Sequence, residues 1–195
     1  MTLRLARIVD SVRVAELHKS GIHGGFLTSL GVSFLNLLYQ SIIESSNAFC
    51  IVAEDNGEVV GFIAGVVNLD EFYKEFLQKN IFKAGLILFF NSFKPAVIRK
   101  IFEALFYATA KTSSLPKAEL LSIAITDNYR GKGVGQGLFE RLAGELRNRG
   151  VKEFKCLVGS NLLPACKFYE KTGGVFHSET EVHKGEKSRI YLWRI

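Results

Sequence analysis

The sequence predicts a mixed α/β (α+β) protein in which a central sheet is flanked by helices. Three observations predict it. Strand-like and helix-like stretches are interleaved along the whole 195-residue chain. Asn56-Gly57 stands between two apolar runs, residues 48–54 and 58–67, a strong short-range signal for a β-hairpin. A strand-like stretch, 118–125, leads into the run Tyr129-Arg130-Gly131-Lys132-Gly133-Val134-Gly135, and a helix-like stretch, 134–149, leaves it.

The elements follow in order. Residues 3–9 alternate and read as a first strand. Asp10 is placed to cap a helix through Ser20. Gly24-Gly25 breaks the chain before a second helix over 31–45, apolar on the face carrying Phe34, Leu35, Leu38, Ile42 and Ile43. The Asn-Gly hairpin supplies strands two and three. Residues 70–117 then read as helices over 70–79, 81–90 and 95–110, with eight basic residues against four acids. Residues 118–126 are the fourth strand. The next helix carries Val134, Leu138, Leu142 and Leu146 at steps of four, with Gly150 as its stop. Residues 153–158 are a fifth strand, Pro164 opens a helix running to Lys171, and 175–183 with 188–193 close the chain as a hairpin.

The glycine run carries the chemistry. Its alternating glycines strip the turn of side chains, so an anion can approach the backbone. The helix that follows offers unpaired N–H groups and the positive end of its dipole, and Arg130 and Lys132 add formal charge. This describes a pyrophosphate cradle. A P-loop needs Gly-x-x-x-x-Gly-Lys-Ser/Thr, which does not occur. A Rossmann fingerprint needs Gly-x-Gly-x-x-Gly near the first strand, and both spacing and position differ here.

The run resembles the acyl-CoA loop of the Gcn5-related N-acetyltransferase (GNAT) superfamily, Arg/Gln-x-x-Gly-x-Gly/Ala, with Arg130, Gly133 and Gly135 in those places. Ala118-Glu119-Leu120-Leu121-Ser122-Ile123-Ala124-Ile125 resembles the strand that enters that loop, and Phe168-Tyr169-Glu170-Lys171-Thr172-Gly173-Gly174 resembles the end of the family's second cofactor helix. The match is specific over about residues 118–175 and looser over 3–67. It implies one domain over residues 1–195, built on a twisted, mixed but mostly antiparallel sheet of about seven strands, with 70–117 as a helical insertion between the third and fourth. It also implies acetyl transfer from acetyl-CoA to an amine by direct attack in a ternary complex.

By the same resemblance, Arg130, Gly131, Lys132, Gly133, Val134, Gly135 and Gln136 hold the pyrophosphate. The main chain of Ile123 and Ile125 pairs with the pantetheine arm, and the N–H near Ile125 polarises the thioester carbonyl. Tyr169 is the acid for the leaving thiolate. Glu119 is a candidate base among apolar neighbours that would raise its pKa; His23 and a water chain are the alternatives. By period two, Glu119, Leu121, Ile123 and Ile125 share one strand face. The family's asparagine lies seven residues before the tyrosine; here Asn161 lies eight before it, and contacts the cofactor arm only if the loop shifts by one residue. Gly173-Gly174 replaces the frequent Gly-Phe, at the loss of an aromatic contact.

The net charge of +6 suits an anionic ligand but, with scattered lysines and no aromatic-basic motif, is no nucleic-acid signature. Cys50, Cys156 and Cys166 form no Cys-x-x-Cys pair and read as thiols of a reducing compartment. His18, His23, His177 and His183 lack metal-ligand spacing, so no metal is expected. The N-terminus has no apolar signal region and the longest apolar run, 84–90, is too short to span a bilayer, which makes a cytoplasmic enzyme the expectation. The expected acceptor is a small-molecule amine. Gly24-Gly25-Phe26-Leu27 and Leu30-Gly31 resemble family members of bacterial surface-sugar pathways, which points to an amino sugar. A protein or peptide amine is the alternative within the enzyme class, and a non-catalytic acyl-CoA-binding module the alternative outside it. The 70–117 segment is expected to be a lid, or a basic amphipathic surface for peripheral membrane contact. A monomer and a homodimer are equally compatible with the sequence.

Overall fold

A computed structural model describes residues 1–22, 26–90, 115–183 and 186–195. Seven strands form one sheet in the order β1-β2-β3-β4-β5-β7-β6. They are β1 Thr2–Leu5, β2 Ala48–Asp55, β3 Glu58–Val66, β4 Glu119–Ile125, β5 Glu153–Gly159, β6 Val175–His183 and β7 Glu186–Arg194. Every neighbouring pair is antiparallel except β4 and β5, which run parallel. Among the described residues the helices are α1 Ser11–Gly21, α2 Phe26–Ser29, α3 Val32–Glu44, α4 Leu69–Phe90, α5 Val134–Asn148 and α6 Leu163–Lys171.

The sheet is covered on both faces, and this is why β2 and β3 are nearly continuous apolar runs rather than alternating ones. In β2, Ala48, Cys50 and Val52 join the cluster with α1, α3 and α4, whereas Phe49, Ile51 and Ala53 join the cluster with α5 and α6. The hairpin turn has both central residues at positive φ, Asn56 at 50° and Gly57 at 82°, the backbone a two-residue turn between right-twisted strands requires. Helix α5 stops as expected. Gly150 (φ 80°) lets Val151 N–H return to Leu146 O at 3.0 Å, and Gly150 N–H bonds Arg147 O.

Three local expectations are corrected. The first strand ends at Leu5, because residues 8–10 form a 3₁₀ turn. Asp10 makes no side-chain cap to α1; its carboxylate instead accepts Arg7 N–H (2.6 Å) and the Arg4 guanidinium (2.7 and 3.0 Å), tying the turn to β1. Residues 69–90 are one continuous helix, not two: no proline or glycine pair interrupts it, and its inner face buries Phe72, Phe76, Ala84 and Leu88. The helix expected over 95–110 lies outside the described residues. The outer side of α4 leaves Phe82 and Phe90 exposed, and among the described residues no helix is long and apolar enough to cross a membrane.

Candidate active site

β4 and β5 pair only at Glu119–Lys155 and Leu120–Cys156. Beyond that point β4 runs on to Ile125 and β5 to Gly159, so the two strands part and leave a gap in the sheet. Thr126 N–H donates to Val60 O (2.9 Å) on the β3 side. Strand alternation therefore points the Ile125 and Ile123 N–H groups to the opposite edge, into the gap. Backbone donors of this kind suit an extended ligand arm.

At the end of β4 the glycine run forms a cradle. Gly131 (φ 73°) and Gly133 (φ 82°) both hold left-handed backbone, and no neighbouring atom crowds either one. The first ladder bond of α5 runs from Gly137 N–H to Gly133 O (3.0 Å), so the Val134, Gly135 and Gln136 N–H groups precede the ladder at the positive end of the helix. Gly135 is small for a different reason: a Cβ there would stand 3.3 Å from Ile125 Cδ1 and 3.4 Å from Phe168, so it sets the close approach of α5 to β4 and α6. Arg130 Nε donates to Ile125 O (3.2 Å) while its guanidinium pairs with Asp127 (2.8 Å), which clamps the cradle to the strand end. Lys132 lies 5.5 Å above the Tyr129 ring, and the Gln136 amide donates to Glu140 (2.9 Å). The residues present therefore fit a diphosphate followed by an extended arm.

Tyr169 projects from α6 into the core, in tilted and edge-on contact with Phe168, Tyr191 and Trp193. Burial holds its phenol well above its ordinary pKa, and the nearby Cys156 thiol pushes the same way. It is thus a protonated group at neutral pH. Asn161 is exposed at the start of the β5–α6 connection, with Oδ1 beside Gly159.

The far end of β4 is arranged differently from the period-two expectation. A bulge between the Ala64–Ser122 and Gly65–Leu120 pairs leaves Leu121 as the extra residue. Leu121, Ser122 and Ala124 consequently face the α1/α3/α4 side, while Ile123 and Ile125 pack on the α5 side. Glu119 and Leu121 line a cavity of about 140 Å³ between β4, α3 and α4; Ile123 and Ile125 do not line it.

Glu119 sits in that wall with its side chain 12% exposed, 3.3 Å from the ammonium of Lys155, itself only 3% exposed. Burial raises the Glu119 pKa, and Lys155 opposes the rise through its charge and its hydrogen bond. Lys155 also donates to Pro116 O, so its charge is held in place. Beside Glu119, the Tyr39 hydroxyl links His18 Nδ1 (2.6 Å) to Ser122 Oγ (2.9 Å). Burial lowers His18 to about 4, so the imidazole is neutral and this chain of groups carries no charge near pH 7.

Sequence reasoning missed Lys155, Ser122, Tyr39 and His18. Lys155 did carry a signal, since it is a lysine between Phe154 and Cys156 in a strand buried on both faces. The other three have none, because the bulge and the helix packing that unite them are not local. The rival base His23 lies outside the described residues.

A profile of the acetyltransferase (GNAT) family matches residues 25–174. No curated protein matches the chain. The fold is similar to the ribosomal-protein-alanine N-acetyltransferase of Brucella melitensis (TM-score 0.64, 15% identity, all of both chains) and to Ard1 of Thermoplasma volcanium (TM-score 0.63, 16% identity, 100% of this chain and 97% of that one). It is also similar to a Bacillus anthracis acetyltransferase solved in complex with acetyl coenzyme A (TM-score 0.53, 19% identity, 80% of this chain and 68% of that one). With the family profile covering most of its length, this chain belongs to the GNAT acetyltransferases, acyltransferases that draw their acetyl group from acetyl-CoA.

Proposed function

We propose that the chain transfers an acetyl group from acetyl-CoA to the primary amine of a small molecule, by direct attack in a ternary complex. The observation that carries this reading is the parting of β4 from β5 after two residue pairs, with a glycine cradle at one end and a carboxylate-bearing cavity at the other. A cavity of that size suits a small acceptor, not a folded protein surface.

In this reading the backbone of Gly131, Gly133, Val134 and Gly135 holds the pyrophosphate, with Arg130 and Lys132 supplying charge and Gln136 a further amide. The main chain of Ile123 and Ile125 lines the gap beside the pantetheine arm, and Asn161 stands near its far side. Acetyl-CoA supplies the acetyl group as an activated thioester. An alkyl ammonium of pKa ~10 must first lose a proton. Glu119 takes it, suited to the task by a pKa that burial raises toward neutrality. The gap-facing N–H groups of β4 stabilise developing negative charge on the thioester oxygen, Ile123 lying closer along the strand to Glu119 than Ile125 does. Tyr169 holds a proton for the departing sulfur. Starting from the neutral amine, the proton that nitrogen sheds balances the one that sulfur gains, and the new C–N bond replaces the C–S bond.

The test is thiol release from acetyl-CoA over a panel of amines. Tyr169→Phe and Glu119→Gln are expected to lower kcat by about 10²–10⁴ with CoA affinity unchanged. Parental rates in both variants would remove these two roles. A parent that binds CoA yet releases no thiol with any amine is a binding module instead.

A further inference from the structure

The cavity beside Glu119 says more about the acceptor than its size. Its wall is built from Phe34, Phe72, Phe76, Leu38, Ile42 and Leu121. Glu119 is the one charged group among its described lining residues. Tyr39 and Ser122 also belong to the lining, and part of their hydrogen-bonding capacity is spent on each other at 2.9 Å and, through Tyr39, on His18 at 2.6 Å. Tyr73 is the remaining residue of the described lining with a polar side-chain group.

This is poor chemistry for a polyhydroxylated acceptor. Each sugar hydroxyl brought in without a partner forfeits its water, and the penalty of one such group amounts to roughly a tenfold loss of affinity or more. A second ammonium, as in a polyamine, would face no second carboxylate. An apolar body suffers neither loss and removes its own surface from water. The volume agrees: an apolar cavity of about 150 Å³ is known to hold a benzene ring, and this one measures about 140 Å³.

Resting on the acetyl-transfer reading above, we infer that the acceptor is a primary monoamine carried on a single apolar ring or a chain of similar size. The ring fills the space between α3 and α4, and the amine meets Glu119 where β4 begins to part from β5. The amino-sugar acceptor drawn from the 24–31 stretch is thereby disfavoured by the wall that would have to receive it.

The experiment uses the full chain and three probes: 2-phenylethylamine, glucosamine and spermidine. Calorimetry measures the binding of each to protein saturated with CoA, and thiol release from acetyl-CoA measures turnover on the same three. The expected result is binding of 2-phenylethylamine and a kcat/KM for it about 100-fold or more above the other two, from two or more unpaired polar groups in each rival. Leu38→Phe or Ile42→Phe, whichever keeps the parental melting temperature, fills the cavity and should weaken 2-phenylethylamine about tenfold or more while CoA affinity stays the same. Glucosamine or spermidine binding or reacting as well as 2-phenylethylamine overturns the inference, as does no binding of 2-phenylethylamine or its undiminished binding to the filled variant. Binding of 2-phenylethylamine without thiol release from any amine leaves the cavity assignment standing and removes the acetyl-transfer reading instead.

Discussion

Gly174→Ala tests how the last strand braces Tyr169, the proposed acid on α6. A Cβ at Gly174 would stand 2.5 Å from Trp193 Cζ2, 2.9 Å from Cε2 and 2.7 Å from the Tyr169 carbonyl oxygen. None of these atoms is the free end of a flexible chain. Trp193 is stacked on Phe154 at 5.0 Å and 6°, touches Phe139 and Tyr169, and donates Nε1–H to Thr172 O at 3.2 Å. The carbonyl of Tyr169 is fixed by the Gly174 N–H at 2.9 Å. Forcing one methyl into such packing costs about 1–3 kcal/mol, and losing the indole hydrogen bond adds roughly 1 kcal/mol. A total of about 2–4 kcal/mol lowers the melting temperature by roughly 5–15 °C in a domain of this size. Calorimetric or fluorescence melting reads the shift directly. Because the displaced atoms belong to Tyr169 and its packing partner, thiol release at a temperature where the variant is folded should fall as well. Gly144→Ala is the internal control: no atom lies within 4 Å of its would-be Cβ in mid-helix α5, so it should stabilise by about 0.5–1 kcal/mol. A Gly174→Ala protein melting within about 2 °C of the parent would refute the argument, since one side of the clash would then be able to move freely.

The cradle and the carboxylate yield four further expectations. Gly133→Ala meets no atom within 4 Å, so its cost is the left-handed backbone alone, about 1–2 kcal/mol, read as a lower melting temperature together with weaker CoA binding by calorimetry. For the pH dependence, burial raises the Glu119 pKa above its ordinary 4.5, so a base role places the acid limb of kcat/KM above that value, with activity rising as the carboxyl ionises; Glu119→Gln should abolish that limb. The stability sign is the reverse: the folded state binds the proton more tightly than the unfolded one, so this contribution is complete below 4.5 and is lost as pH rises through the folded value, and denaturant melts of parent and Glu119→Gln should diverge across that window. Lys155→Met removes the charge 3.3 Å away that holds Glu119 down, so the acid limb should move to higher pH; an unmoved limb would mean that another group titrates.

What the sequence determined by itself was local. The glycines at 131 and 133, the Asn56-Gly57 turn and the stop at Gly150 are set within a few residues by which backbone angles a side chain permits, so they could be read directly. The order of strands and helices followed from periodicity, which is why the two-sided burial of β2 and β3 showed as continuous apolar runs. Asp10 failed as a cap because Arg4, six residues away in β1, outbid the helix for its carboxylate. Only the tertiary structure decided the acceptor side of the site. The bulge at Leu121 breaks the period of β4 and turns Leu121 and Ser122 to one side, and pattern alone cannot place an inserted residue. Lys155 reaches Glu119 across a strand pairing, Tyr39 reaches Ser122 from a helix 83 positions earlier, and Trp193 covers Gly174 from the last strand. Each of these contacts joins segments far apart in the chain, and chain spacing carries no record of which side chains the fold brings within 4 Å.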